Sequence, residues 1–282
     1  MAERKTIVIT GANAGIGLAT AQLLAAKGYN IVTICRDKSK GEFTVGELVK
    51  RNPGMHAENF TADLSDLGAV QKVANAITSK YQVIDRLINN AGYYPSAIDY
   101  VGDIEKTLLA SHLGHMLLTQ LLIPSLQRSP EARVINVSSG IHKLGRIDRF
   151  FKRIKDHTFS NAYADAKLAN ILFTVGLSKN LPQNVVTYSL HPGVVQTNFA
   201  KDSSGLFTVL FNMFRPFFIS PERGAATSVY LADAEIQQVK SFTGQYFVKK
   251  KQTQVRHKDV TDENAAWLWK KSMEILNPYL SR

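Results

Sequence analysis

Apolar, β-branched runs alternate along the chain with stretches whose apolar positions recur at helical spacing. "KTIVITG" leads into "GIGLATAQLLAAKGY", "NIVTICR" into "GEFTVGELVKR", and "AENFTADL" into "LGAVQKVANAITSKY". "DRLINNAG" precedes "EKTLLASHLGHMLLTQLLIPSLQ", and "ARVINVSS" precedes "NAYADAKLANILFTVGLSKNL", which is followed by "VVTYSLHPG". The strand-like runs are continuous rather than alternating, as parallel strands covered on both faces require. Strand–helix alternation predicts right-handed βαβ units, hence an α/β fold with one doubly wound parallel sheet and helices on both faces. No composition break divides the chain, so residues 1–282 read as one domain.

Composition narrows the class without naming a function. With 45% hydrophobic and 20% charged residues in 282, the chain can bury a large core without cross-links. Its one cysteine, Cys35, has no internal partner, which suits a reducing compartment. "MAERKTIVITG" enters a glycine turn too early for a signal peptide, and no run is long enough to span a bilayer. These features predict an intracellular protein, cytoplasmic or peripheral on the cytoplasmic face of a membrane. The net charge of +11 concentrates in "KLGRIDRFFKRIKD" and "KKKQTQVRHK". Such stretches are either solvated faces or sites for a polyanionic cofactor or anionic lipid. No nucleic-acid motif accompanies them, so no nucleic-acid partner is expected.

The chemistry-bearing stretches follow the strands. "TGANAGIG" opens the first helix: Gly11 allows a tight turn, Gly15 a close approach to phosphate, and Gly17 close helix–strand packing. In "SNAYADAKLAN", Tyr163 and Lys167 are four residues apart and share a helical face, with only small residues between them. A free phenol ionises at ~10, and moving it near neutrality takes ~4 kcal/mol. A neighbouring ammonium works in that direction. A phenol so tuned exchanges a proton with a carbonyl or alcohol oxygen.

The T-G-x-x-x-G-x-G spacing, "NNAG", "NVSSG", Y-x-x-x-K and "HPGVVQT" come in an order that resembles the short-chain dehydrogenase/reductase family, over residues 5 to 275. "KLAN", "HPGVVQTN" and "DENAAWLWKKS" are similar to its retinol-dehydrogenase-like branch. The resemblance implies a Rossmann-type fold, a nicotinamide dinucleotide, and an oxidoreductase that interconverts a lipophilic aldehyde or ketone and its alcohol. It implies catalytic roles for Ser139, Tyr163 and Lys167, with Ser138 the lesser candidate beside Ser139. It also implies that Gly11, Asn13, Gly15, Ile16 and Gly17 line the cofactor, that Asn90 supports the sheet beside it, and that Asp63 lies near the adenine. Asp63 as a helix cap is the alternative. Pro192, Gly193, Val195 and Thr197 correspond to the segment at the nicotinamide end, and Tyr163 and Lys167 reach the ribose.

Arg36 ends the second strand, where an acid would hold a ribose hydroxyl and a guanidinium would pair with a 2′-phosphate. NADP(H) is therefore expected over NAD(H), and Asp37 is the weaker ribose ligand. Ser111 departs from the pattern. "LLASHLGHMLLT" resembles the branch's "NHLGHFLLT", whose asparagine bends the helix and holds a water that feeds protons to the lysine. Serine has fewer hydrogen-bonding sites, so the relay is expected to be weakened. His112 and His115 lack a third ligand and read as polar-network residues, so no metal is expected.

Two stretches bear on the substrate. "GLFTVLFNMFRPFFIS" carries phenylalanines at 207, 211, 214, 217 and 218, and the resemblance implies that it lies in a variable substrate lid at about 200–220. Ile147, Phe150, Phe151 and Ile154 recur at helical spacing among Arg146, Arg149, Lys152, Arg153 and Lys155, an amphipathic pattern with a basic face. Together they predict a greasy mouth rimmed by positive charge, in contact with an anionic membrane or with a second subunit of a homo-oligomer. The competing reading is an NADP-binding scaffold or redox sensor with decayed catalysis, which only Ser111 favours.

Overall fold

The computed structural model describes residues 4–92, 97–193 and 219–280. The strands are β1 (Thr6–Thr10), β2 (Asn30–Cys35), β3 (Ala57–Thr61), β4 (Arg86–Asn89), β5 (Tyr100–Val101), β6 (Ile104–Glu105), β7 (Ala132–Val137), β8 (Val185–His191), β9 (Tyr246–Val248) and β10 (Lys251–Gln252). Eight of them form one sheet in the order β3-β2-β1-β4-β7-β8-β9-β10, and β5 and β6 form a separate hairpin. All pairs in the large sheet are parallel except β9–β10. The chain moves outward from β1 to β3 and returns to β4 on the other side of β1. That reversal opens a crevice at the carboxyl ends of β1 and β4, where doubly wound sheets bind ligands.

The alternation of side chains along each strand assigns two cores. Val8, Val32, Leu87 and Val134 point to the face covered by α3 (Leu67–Lys80), α5 (Gly114–Leu126), α6 (Phe159–Asn180) and α8 (Asp262–Leu280). Ile7, Ile9, Ile31, Ile88 and Ile135 point to the other, with α1 (Gly15–Ala26), α2 (Lys38–Arg51) and α7 (Pro221–Asp233). The three-residue α4 (Lys106–Leu108) runs through a π-turn at Leu109–Leu113 straight into α5. No helix among the described residues is long and apolar enough to cross a membrane.

The basic amphipathic pattern at 147–154 is not a helix. Only Ile147–Arg149 forms a 3₁₀ turn, and Phe151 and Asp156 take φ of 57°. Phe150 is buried against Leu168, Leu172 and Leu268, so tertiary burial outweighs the helical spacing. Arg149 turns inward to Asp165, which removes it from the basic face. The lid residues Phe207, Phe211, Phe214, Phe217 and Phe218 lie outside the described residues, as do Val195 and Thr197.

Candidate active site

The glycine turn sits at the crevice. Gly11 has φ of 67° and Gly15 of 54°, left-handed values that glycine adopts without strain. A Cβ on Gly17 would lie 2.2 Å from the Gly11 carbonyl oxygen and 2.4 Å from Asn90 Nδ2, so only glycine lets α1 pack this close to the sheet. Asn90 Nδ2 donates to the carbonyls of Thr10 (2.9 Å) and Gly11 (3.3 Å), which braces the turn from β4. No side chain caps the start of α1 at Ala14, while Asn13, Gly15 and Ile16 remain partly exposed around it. A helix start without a side-chain cap, on an open glycine cradle, matches the needs of a dinucleotide pyrophosphate. Beyond β2, Arg36 is exposed, and Asp37 caps α2 by accepting from Lys40 N at 3.0 Å. Asp63 accepts from the amide and hydroxyl of Ser65, and the cap of α3 is Asp66 instead.

The Tyr163–Lys167 pair lies on α6, whose start Thr158 caps by accepting from Asn161 N. Lys167 Nζ is 5.3 Å from the centre of the Tyr163 ring. The lysine is 2% exposed, and its ammonium donates to the Val137 carbonyl at 3.0 Å. Asn170 Nδ2 donates to the same oxygen at 3.2 Å. Burial lowers the Lys167 pKa to about 8. Both residues thus hang from the last residue of β7, and the two serines follow it.

Ser138 and Ser139 divide the work. Ser138 is buried, and its hydroxyl donates to the Lys167 carbonyl at 2.7 Å, joining strand to helix. Ser139 is half-buried at the crevice, and its hydroxyl accepts from Ile141 N at 3.4 Å, a long contact that leaves it able to donate elsewhere. Pro192 and Gly193 follow β8, one strand over, on the same edge of the sheet.

Ser111 lies within the π-turn, so the helix widens here with a serine in place of the asparagine. Its carbonyl accepts from His115 Nδ1 at 3.0 Å, and its buried hydroxyl has no hydrogen-bond partner among the described residues. His115 Nε2 meets the Thr10 hydroxyl at 2.8 Å, and that oxygen also accepts from the amides of Asn90 and Ala91. Thr10 therefore donates to Nε2, and Nδ1 carries the imidazole proton. His112 Nε2 pairs with Ser272 of α8 at 2.8 Å. Burial holds both imidazoles well below their usual pKa, near 3 for His112 and 4 for His115, so both are neutral.

Two groups near the site have no signature in local spacing. Asp165, two residues after Tyr163, is buried and takes two nitrogens of Arg149 as well as His157 Nε2 at 3.3 Å. His157 Nδ1 continues to the Tyr100 hydroxyl at 3.0 Å. His142 and His191 flank the turn after Ser139. "HPGVVQT" brings His191 into view as part of a motif, but its partner lies 51 residues away.

A family model described as short chain dehydrogenase matches residues 5–205. The chain is 38% identical to human retinol dehydrogenase 12 over 275 residues, 96% of this chain and 86% of that one. It is 33% identical to human WW domain-containing oxidoreductase over 289 residues, 98% of this chain and 69% of the relative. Among solved structures, an uncharacterised protein from Mycobacterium paratuberculosis superposes with a TM-score of 0.74 at 29% identity, covering 97% of this chain and 93% of that one. A short chain dehydrogenase from Burkholderia cenocepacia in complex with NADP shares the fold, with a TM-score of 0.68 at 23% identity over 86% of this chain and 95% of that one. The strand order, the glycine turn at its switch point and these matches agree: the chain belongs to the short-chain dehydrogenase/reductase family, in its retinol-dehydrogenase-like branch.

Proposed function

We propose that the protein is an NADP(H)-dependent oxidoreductase that interconverts a lipophilic aldehyde or ketone and its alcohol. The cofactor supplies or takes the hydride. Tyr163 gives a proton to the carbonyl oxygen in reduction and takes it back in oxidation. Ser139 donates a hydrogen bond to that oxygen, and Lys167 favours the ionised phenol and holds the ribose hydroxyls. Gly11, Asn13, Gly15, Ile16 and Gly17 cradle the pyrophosphate, Asn90 braces them, and Arg36 pairs with the 2′-phosphate. Asp63 stands by the adenine, and Pro192, Gly193, Val195 and Thr197 hold the nicotinamide end. Ser111 occupies the relay position. The observation that carries this reading is the buried Lys167 ammonium, 5.3 Å from the Tyr163 ring and anchored on the strand that ends in Ser139.

The relatives named retinol dehydrogenase support a lipophilic substrate. The surface around the site supports peripheral contact with an anionic membrane: Leu144 is 62% exposed between Lys143 and Arg146, with Lys152 and Lys155 nearby in the chain. Packing against a second subunit is the other reading of the lid at about 200–220. The test is NADPH oxidation against retinal, steroid ketones, medium-chain aldehydes and quinones, with Tyr163→Phe as the control. Turnover that falls on the order of 10²–10⁴-fold in the variant is expected. NADPH binding without turnover of any carbonyl would leave the scaffold reading, which Ser111 in place of the family asparagine favours.

A further inference from the structure

We propose that His191 is a positioning residue for Ser139, acting through the peptide bond that follows the serine. This rests on Ser139 being the group that meets the carbonyl oxygen. The Ser139–Gly140 peptide is held at both of its polar atoms by imidazoles. Its carbonyl accepts from His142 Nδ1 at 2.7 Å, and its amide donates to His191 Nδ1 at 3.1 Å. The Gly193 amide also points at His191 Nδ1, at 3.4 Å. His191 therefore ties the serine turn to the segment after β8, where the nicotinamide end is expected. A Cβ on Gly140 would come within 3.3 Å of His191 Nε2, so the ring packs directly against the turn.

The two rings need opposite tautomers. A carbonyl accepts only from a protonated nitrogen, so His142 carries its proton on Nδ1. Two amides donate only to a lone pair, so His191 carries its proton on Nε2. Protonation leaves the His142 contact intact, because Nδ1–H is still a donor. Protonation of His191 removes the acceptor, and the clamp opens. Among the described residues the titratable groups that act on His191 are His142 and Lys143, both on the turn; β9 sets apolar Val248 opposite it. His257 in turn faces His142 across 6.3 Å and touches the Gly145 carbonyl. Burial and these neighbours hold His191 below its usual pKa, which keeps the acceptor available at neutral pH.

The direct test is nitrogen NMR of the unmodified protein with labelled histidine and glycine. His191 is expected as the Nε2–H tautomer and His142 as the Nδ1–H tautomer. The Gly140 amide signal should move with the His191 titration. An Nδ1–H tautomer at His191, or a Gly140 amide indifferent to that titration, would overturn the clamp whether or not the protein turns over any carbonyl. The second test uses two variants and NADPH oxidation with a substrate found for the unmodified protein. His191→Leu should lower kcat on the order of 10–100-fold, the loss expected of a misplaced catalytic group. His191→Asn places an amide oxygen near the Nδ1 position, so it should recover most of that loss and abolish the His191 contribution to the acid limb of the pH profile. Equal loss in both variants would assign the ring to packing and overturn the proposal. Failure of the Tyr163→Phe control to lower turnover is a separate result, which removes the reductase reading while the tautomers still decide the clamp.

Discussion

Replacing Lys167 by methionine should stabilise the folded chain at pH 7 while removing activity. The lysine is 2% exposed, and burial alone lowers its pKa from 10.5 to about 8. The unfolded chain binds this proton more tightly than the folded chain does. Stability therefore rises with pH through the interval from about 8 to ~10.4, and is lost again as pH falls through it. Below that interval the folded chain carries the full cost of a buried ammonium. A window of roughly two and a half pH units, at ~1.4 kcal/mol each, amounts to ~3 kcal/mol. Methionine also loses the hydrogen bond to the Val137 carbonyl, which Asn170 continues to satisfy, so ~1 kcal/mol is subtracted. The expected gain is ~2 kcal/mol at pH 7, turning to no gain or a small loss near pH 10.5. Urea unfolding of both proteins, free of cofactor, at the two pH values measures it. Comparing the proteins at each pH cancels the tyrosines and other lysines that titrate nearby. A Lys167→Met protein less stable than its parent at pH 7, or a gap that ignores pH, would refute the reasoning.

Arg36→Ala should erase most of a preference for NADPH over NADH, expected at on the order of 10–100-fold if one charge-assisted phosphate contact contributes ~1.5–3 kcal/mol. Equal affinities of the unmodified protein for both cofactors, measured by titration, would remove the assignment of Arg36. Ser111→Asn should raise single-turnover hydride transfer by at most ~10-fold, about 1.4 kcal/mol of barrier, with little change in KM. A rate that stays level or falls would show that serine, with the π-turn already formed, is fitted to this site.

The stretches legible in the sequence are those whose logic is local. "TGANAGIG" declares a strand–turn–helix because glycine spacing and the following apolar period are contiguous, and the turn forms at Gly11–Gly17 as read. Tyr163 and Lys167 are neighbours because i and i+4 always are on a helix, and Phe159–Asn180 is one. β1, β2, β7 and β8 follow from β-branched runs, whereas β4 carries a single Leu-Ile pair and the edge strand β3, AENFT, is half-exposed. β9 and β10, three and two residues long, are too short to leave a pattern, although they complete the sheet edge. The Ile147–Ile154 spacing misleads because a buried ring such as Phe150 satisfies a helical period without a helix. His191 and Gly140, or Arg149 and Asp165, meet across 51 and 16 residues, and nothing in either stretch specifies the other.

The two ends of the sheet treat buried cations differently, and the contrast bears on what Lys167 is for. At the amino ends of β4 and β7, Arg86 and Arg133 are at most 1% exposed. Arg86 donates to the carbonyls of Ala232, Asp85 and Glu131, and Arg133 to those of Leu231 and Ala234. Three of those carbonyls close the carboxyl end of α7, where the helix dipole favours positive charge, and the Glu131 carboxylate lies 3.9 Å from Arg86. Both guanidiniums thus find several acceptors and negative potential, although Arg133 Nε has no partner among the described residues and burial still lowers both pKa values, that of Arg86 to about 10. At the carboxyl end of β7, Lys167 donates to the Val137 carbonyl beside the Tyr163 ring, and burial lowers its pKa. An ammonium has three donors, and a fold that used this one for architecture would surround it as it surrounds the arginines. Among the described residues Lys167 Nζ has fewer acceptors than Arg86, which fits the proposed role in which a bound partner brings acceptors of its own. On the proposed reading ribose hydroxyls are such acceptors, and their arrival would further stabilise the ammonium beside Tyr163.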